Sequence, residues 1–204
     1  MFNGNMYKKV ILNGGYPDRA PDGGLAFCRE VTGGLSQPVK ILECLFGREK
    51  NTWDSALKKD VELFHNVLAG VQVEFQIAKE RTLVDQIGWA DVVYFRGGYT
   101  QRLYDVLSVI PQWQDALKNK VVVGSSAGAY ILSEVYVHAA EKPEARKGFG
   151  LVQIKTVAHY RSTFFHNGDH DKARQYWDMV DELLENLGPH LEMMKLGEGE
   201  FRVL

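Results

Sequence analysis

The sequence contains little cysteine, no long apolar run and no apolar segment at its start. Its two cysteines, Cys28 and Cys44, match neither a CxxC pair nor a metal-binding spacing, so we predict separate, reduced core residues. A membrane-spanning helix needs about 18 consecutive apolar residues, and the chain has no such run. The absence of an apolar leader predicts a cytoplasmic protein that does not bind membranes.

The chain also lacks an excess of either charge. Its 24 Lys and Arg against 26 Asp and Glu give a net charge of −2, which argues against a nucleic-acid partner because phosphate binding needs basic residues. With 204 residues, 45% of them hydrophobic, the chain can bury a sizeable core without disulfides or metals. No repeat or linker divides it, so we predict a single domain over 1–204.

Apolar runs alternate with segments of helical period, which is typical of an α/β fold with a mostly parallel sheet. The clearest strands are predicted at 10–12, 39–42, 71–75, 92–95 and 121–123. Helices are predicted at 23–31, 53–68, 82–87, 100–116 with a break near Pro111, and 126–133. The last third predicts strands at 136–140 and 151–157 joined by a charged connection, a helix at 171–187 and a strand near 191–196. Glycines cluster after several strands, so we expect a shared crevice at the carboxyl edge of the sheet.

The clearest chemical motif is G-S-S-A-G at 124–128, which follows a valine strand and precedes a helix. A serine on such a sharp turn projects its hydroxyl at the start of the helix, where small neighbours allow the strained backbone. Ser126 is therefore the candidate nucleophile, and Ser125 is a spacer. A turn rich in small residues can also serve only to pack a helix on a strand or to bind an anion.

A nucleophilic serine needs a base, and His159 is the histidine best placed to supply one because it ends the predicted strand at 151–157. His166 and His170 flank Asp169 and allow a metal site as an alternative. Gly168 weakens the helix that such a site needs, and capping of the next helix by Asp169 or Asp171 explains the segment more simply. We therefore predict no metal.

A second turn, R-G-G-Y-T at 96–100, also follows a strand and precedes a helix. Such a turn exposes backbone N–H groups, which can stabilise an oxyanion. Close packing of the helix on the strand is the alternative explanation of the same glycines.

These segments, in this order, resemble the peptidase E (aspartyl dipeptidase) and cyanophycinase group of serine peptidases, which have the class I glutamine amidotransferase-like fold. The serine turn at 124–129 resembles the family's G-x-S-A-G-A, and the turn at 96–100 resembles its G-G-G-N-T. The segment 149–160 resembles the family's approach to its histidine, and K-L-G-E-G at 195–199 resembles its late G-L-x-E-G strand. The similarity extends over about 8–203.

The resemblance implies a three-layer α/β sandwich with a mostly parallel central sheet. It also implies that Ser126 is the nucleophile, that His159 is the base, and that the N–H groups of Gly98 and Ala127 form the oxyanion hole. Glu141 occupies the place of the family's acidic residue, which is usually an aspartate. Should Glu141 not serve, Glu134 and Asp169 are the next acids to consider, and a dyad without an acid is the other possibility.

The implied function is serine-type hydrolysis of peptide-like amide bonds, by a dipeptidase or small exopeptidase that needs no cofactor and works as a monomer or homodimer. A family preference for acidic residues would need a cation, and Arg96 and Arg161 are the candidates, with Tyr99 also near the substrate. Two other functions are open. An α/β-hydrolase esterase shares the serine motif, although few residues follow Ser126, and an inactive relative would only bind a small molecule or partner in the crevice.

Overall fold

The computed structural model describes residues 7–138, 142–163 and 167–204. Its strands are β1 (Lys9–Asn13), β2 (Val39–Cys44), β3 (Val73–Ile77), β4 (Val92–Phe95), β5 (Val121–Ser125), β6 (Ser133–His138), β7 (Glu144–Lys147), β8 (Val152–Ala158), β9 (Glu192–Leu196) and β10 (Phe201–Val203). Its α-helices are α1 (Leu25–Thr32), α2 (Trp53–Val67), α3 (Leu83–Trp89), α4 (Thr100–Ser108), α5 (Trp113–Ala116), α6 (Ala127–Leu132) and α7 (His170–Asn186).

The central sheet has six strands in the order β10-β1-β5-β4-β2-β3. Five of them run parallel, and β10 pairs antiparallel with β1 at one edge. Parallel neighbours require crossover connections, which the helices between successive strands supply. The predicted α/β fold with a mostly parallel central sheet is therefore confirmed.

Side chains on the two faces of this sheet form two separate apolar clusters. Val10 and Leu12 of β1 pack on one face with α3 to α6, whereas Ile11 packs on the other face with α1 and α2. The alternation follows from the two-residue period of a strand and gives three layers. Cys28 and Cys44 lie in different clusters, and both are buried free thiols, as predicted.

A second, four-stranded sheet in the order β7-β6-β8-β9 follows the central one. Strands β6, β8 and β9 are parallel, β7 is antiparallel to β6, and α7 covers the sheet through its own apolar cluster. The sequence did not predict β7 or β10. The E-A-R-K segment of β7 is a largely exposed edge strand without apolar alternation, and β10 has only three residues.

No helix in the described ranges combines the length and the apolar character that a bilayer span requires.

Helix α6, which begins directly after Ser126, lies very close to the central sheet. All six of its residues are buried, and a Cβ added at Gly128 would overlap the carbonyl oxygen of Phe95 in β4. A Cβ at Gly124 would in turn lie 2.7 Å from the backbone of Gly128. The two glycines therefore set how near the helix comes to β4 and β5.

We predict that Gly128→Ala lowers the free energy of unfolding by about 1–3 kcal/mol, because the added methyl must push α6 away from β4. Gly88→Ala is the matched control, since Gly88 lies in α3 with open space around its Cβ position and should gain about 0.5–1 kcal/mol. Urea denaturation at equilibrium measures both. Equal stability of the two variants would contradict the close approach of α6.

Candidate active site

Ser126 sits at the junction of β5 and α6 in a backbone conformation that non-glycine residues rarely adopt. Its φ and ψ are 53° and −110°, and its N–H donates to the carbonyl of Asn13 at 2.9 Å. A sharp turn between strand and helix produces this strain and projects the hydroxyl from the carboxyl edge of the sheet. The predicted location of Ser126 at the carboxyl end of a strand is confirmed.

His159 follows β8 directly and faces Ser126 from the second sheet. Its Nε2 lies 2.9 Å from the Ser126 hydroxyl oxygen, and its side chain is 9% exposed. The His159 N–H donates to the carbonyl of Gly14 at 3.0 Å, which anchors the backbone beside the ring. The structure thus brings together the serine and the histidine that the sequence predicted.

A carboxylate lies on the other side of the imidazole, and it belongs to Glu198. Its Oε1 is 3.3 Å from Nδ1 of His159 and accepts a hydrogen bond from the Ser162 hydroxyl at 2.9 Å. Its Oε2 forms an ion pair with Arg19. Ser126, His159 and Glu198 form one hydrogen-bonded chain.

Two of the acids considered from the sequence, Glu134 and Asp169, lie elsewhere in the described structure. Glu141 lies outside the described residues, so its assignment stays a prediction. Glu134 accepts a hydrogen bond from Gln153 at 3.2 Å, and Asp169 caps α7 by accepting from two backbone N–H groups. The motif at 195–199 contained Glu198, but the family resemblance implied Glu141 as the acid.

The electrostatics of the chain favour a neutral imidazole beside a charged carboxylate. Burial lowers the pKa of His159 below its ordinary 6.5, although Glu198 partly opposes this shift. Burial tends to raise the pKa of Glu198, but hydrogen bonds from Ser162, Arg19 and His159 outweigh it and lower that pKa. At neutral pH the imidazole can therefore accept a proton from Ser126 while Glu198 remains ionised.

The sequence predicted that the backbone N–H groups of Gly98 and Ala127 form an oxyanion hole. In the described part of the chain, no backbone carbonyl accepts from the N–H of Gly98 or Ala127. Gly97 packs on the serine so closely that a Cβ there would lie 3.6 Å from the hydroxyl oxygen. The β4–α4 turn is therefore adjacent to the nucleophile, as the sequence predicted for an oxyanion hole.

Residues 13–15, where β1 ends, hold the site together, a role that the sequence did not predict. Asn13 is fully buried, and its side-chain oxygen accepts from Gly15 N–H at 2.8 Å and from the Ser125 hydroxyl at 3.0 Å. A Cβ at Gly15 would overlap the His159 ring. The sequence predicted only that glycines after strands line a shared crevice. The pattern that could have indicated this role is N-G-G at 13–15, directly after the apolar run 10–12.

A crevice of about 900 Å³ opens in front of Ser126 and His159. Charged side chains of both signs line it: Asp18, Arg19, Arg48, Lys59, Asp60, Glu62 and Arg96. The sequence predicted three substrate-binding residues, Arg96, Tyr99 and Arg161. Among the described residues that line the crevice, only Arg96 is one of these three. Tyr99 is 59% exposed at the start of α4, and the Arg161 guanidinium lies over the Tyr160 ring at 5.2 Å.

Arg96 is held by buried carboxylates at the crevice floor. Its Nε lies 2.7 Å from Asp60 Oδ2 and 3.3 Å from Glu43 Oε1, and both acidic side chains are almost fully buried. Burial, reinforced by the neighbouring Asp60, raises the pKa of Glu43 to about 9. The positive charge of Arg96 is therefore already balanced within the protein.

In the described ranges, no three His, Cys, Asp or Glu side chains are arranged to hold a metal ion. His166, part of the alternative metal site, lies outside those ranges.

Comparison with known proteins identifies the family of the chain. The model of peptidase family S51 matches residues 51–200, which is well over half of the chain. The chain belongs to peptidase family S51. It is a serine peptidase, and the esterase alternative is set aside.

Solved structures share the fold of this S51 peptidase. A peptidase from an acI-B1 Actinobacterium is 20% identical with a TM-score of 0.66, and the match covers 100% of this chain and 85% of that one. A candidate peptidase E of Listeria monocytogenes EGD-e is 17% identical with a TM-score of 0.63, and 96% of each chain is covered. No curated protein sequence is significantly similar to the chain.

We predict that labelling of Ser126 by a fluorophosphonate follows the titration of His159. The labelling rate should rise with pH to a plateau, because only the neutral imidazole accepts the serine proton, and its midpoint should lie below 6.5 since burial lowers this pKa. Glu198→Gln should move the midpoint lower still, because the carboxylate raises the histidine pKa. A parent midpoint above 6.5, or an upward shift in the variant, would contradict this electrostatic arrangement.

Proposed function

We propose that this S51 peptidase is an exopeptidase of short peptides, acting through Ser126 as nucleophile, His159 as base and Glu198 as the acid that orients the base. The observation that carries the proposal is the 2.9 Å contact between His159 Nε2 and the Ser126 hydroxyl of a strained strand-to-helix turn. Glu198 on Nδ1 supports it, because a carboxylate there fixes the tautomer that leaves Nε2 free to accept a proton.

The proposed reaction needs only these side chains and water. The Ser126 oxygen attacks the substrate carbonyl while its proton passes to His159 Nε2, and the N–H groups of Gly98 and Ala127 bind the resulting oxyanion. Collapse breaks the C–N bond, and the imidazolium gives its proton to the leaving amine. A water molecule, deprotonated by the same imidazole, then attacks the acyl-serine, and cleavage of the ester bond releases the acid while the imidazolium returns the proton to the Ser126 oxygen.

The crevice supports a short substrate rather than a folded protein. Its volume of about 900 Å³ falls within the range of small-molecule sites. Charges of both signs surround the nucleophile, and a short peptide with free termini offers an ammonium and a carboxylate to complement them. We therefore favour a dipeptidase or small exopeptidase.

A preference for an acidic residue at the substrate's amino-terminal side is the finer part of the proposal. It rests on Arg96, which lines the crevice, and on Arg161, which lies two residues beyond His159 in the sequence. Because Asp60 and Glu43 already balance Arg96, an acidic substrate group would have to share that guanidinium. Lys59 also lines the crevice and adds a further cation.

For the acid, we predict that Glu198→Gln lowers kcat by about 10²- to 10⁴-fold, because the amide no longer stabilises the imidazolium. Glu141→Gln is the matched variant, and it should retain most of the activity. Steady-state kinetics of both, with thermal unfolding as a check on folding, decides between them. A large loss in Glu141→Gln with an active Glu198→Gln would return the acid's role to Glu141.

For the activity, we predict that the purified protein hydrolyses dipeptides such as Asp-Leu and Ala-Leu, and that Ser126→Ala abolishes both hydrolysis and fluorophosphonate labelling. Ser125→Ala is the control, since its hydroxyl bonds Asn13 rather than His159, and it should largely retain both. Liberated amino acids are measured by chromatography.

Three results of this experiment would revise the proposal. Equal kcat/KM for Asp-Leu and Ala-Leu would remove the acidic preference and leave the peptidase. Cleavage only of longer peptides would remove the assignment as a dipeptidase. Neither hydrolysis nor labelling in the parent protein would favour the inactive relative that binds a ligand in the crevice.

A further inference from the structure

Arg48 lines the crevice and also contacts the backbone of the β4–α4 turn, which contains Gly97 and Gly98. Its Nε–H donates to the carbonyl oxygen of Gly97 at 2.7 Å. This carbonyl belongs to the same peptide unit as the N–H of Gly98. Because a trans peptide is planar, its C=O and N–H point in opposite directions, and whatever fixes the oxygen of Gly97 also fixes the direction of the Gly98 N–H.

The loop that carries Arg48 is itself bound to that turn. The Arg48 N–H donates to Leu45, its carbonyl accepts from the Trp53 indole at 3.2 Å, and the Gly47 carbonyl accepts from Tyr99 N–H at 2.7 Å. A Cβ at Gly98 would lie 2.5 Å from the Gly47 oxygen. These bonds fix the loop that carries Arg48, so the Arg48 side chain can hold the peptide plane between Gly97 and Gly98 in place.

The chemical nature of the donor strengthens the effect. A guanidinium stays protonated, and hydrogen bonds from charged donors are shorter and stronger than neutral ones. Withdrawal of electrons through the carbonyl polarises the peptide and makes its N–H a better donor. The contact thus acts on the peptide unit whose N–H is the proposed oxyanion donor.

We propose that Arg48 is a positioning residue of the oxyanion hole: its Nε–H···O=C bond to Gly97 aims and polarises the N–H of Gly98 toward the oxyanion that forms at Ser126. The inference rests on the proposed function. Since the oxyanion exists only after attack, the bond lowers the energy of the transition state and leaves substrate binding nearly unchanged. Loss of a whole oxyanion donor costs about 10²- to 10³-fold, so its misalignment should cost about 10- to 100-fold in kcat.

Three substitutions at Arg48 separate this hydrogen bond from the charge. Glutamine places its amide nitrogen where arginine has Nε, and so keeps a donor without a charge. Methionine puts a methyl carbon at that position, and lysine puts a methylene there while keeping the charge. We expect Arg48→Gln to stay within about fivefold of the parent kcat, while Arg48→Met and Arg48→Lys lose about 10- to 100-fold at unchanged KM.

The control is Arg102→Met, which removes an exposed arginine paired with Glu49, next to Arg48 in the chain. It should leave kcat, KM and the thermal midpoint unchanged. A second measurement is the affinity for a peptide boronic acid, which forms a tetrahedral adduct with the serine. The Kd of this adduct should rise in Arg48→Met in proportion to the loss of kcat. A loss of folding alone would instead lower the thermal midpoint and the fraction of active protein, and the folded fraction would keep the parent Kd.

The possible outcomes distinguish this inference from the proposed function. If Arg48→Lys is more active than Arg48→Gln and the difference lies in the KM for Asp-Leu, Arg48 contacts the substrate carboxylate directly and the inference is overturned. Arg48→Met as active as the parent would overturn it too, with the peptidase activity intact. If dipeptides are not cleaved, the fluorophosphonate labelling rates make the same comparison, because the phosphoryl oxygen enters the oxyanion hole. A parent protein that neither cleaves nor labels would overturn both proposals.

Discussion

The hydrogen bond between Ser126 and His159 joins the ends of strands from two different sheets, and the rest of the site depends on keeping those ends together. The link is residues 13–15, where β1 ends. The carbonyl of Asn13 accepts the N–H of Ser126 and the carbonyl of Gly14 accepts the N–H of His159, so two adjacent carbonyls hold both backbones. Both residues have a positive φ, 53° at Ser126 and 54° at His159, which strains the backbone of a non-glycine residue. These two hydrogen bonds offset part of that strain.

The charges around the site are arranged as neighbouring pairs rather than as a uniform field. Arg19 and Ser162 hold Glu198, while Asp60 and Glu43 surround Arg96 beneath the crevice. Buried ions are costly unless they are paired, and each of these groups is placed against an opposite charge or a donor. A pocket built this way presents local charges to a small ligand but has little net charge, in keeping with the −2 of the whole chain.

The sequence predicted those parts of the molecule that arise from local pattern. The valine strand before G-S-S-A-G placed Ser126, and the strand before His159 placed the base, because both depend on an apolar run that ends at a turn. Arg48 and Asn13 act across the fold through side-chain bonds to Gly97 and to Ser125, and no spacing along the chain encodes such contacts. Glu198 lay inside a recognised motif, but only the folded chain shows that it faces His159.

The position of Glu198 follows from the last strand, which is too short to have been predicted. The three residues of β10 pair antiparallel with β1, from Ile11 opposite Val203 to Asn13 opposite Phe201. Just before it, Gly199 N–H donates to the Gly15 carbonyl at 2.8 Å, and the Glu200 carbonyl accepts from Asn13 Nδ2 at 3.0 Å. The segment that anchors the backbones of Ser126 and His159 therefore also anchors the loop that bears Glu198. Since these three parts of the chain all bond to residues 13–15, a shift of that segment would displace them together.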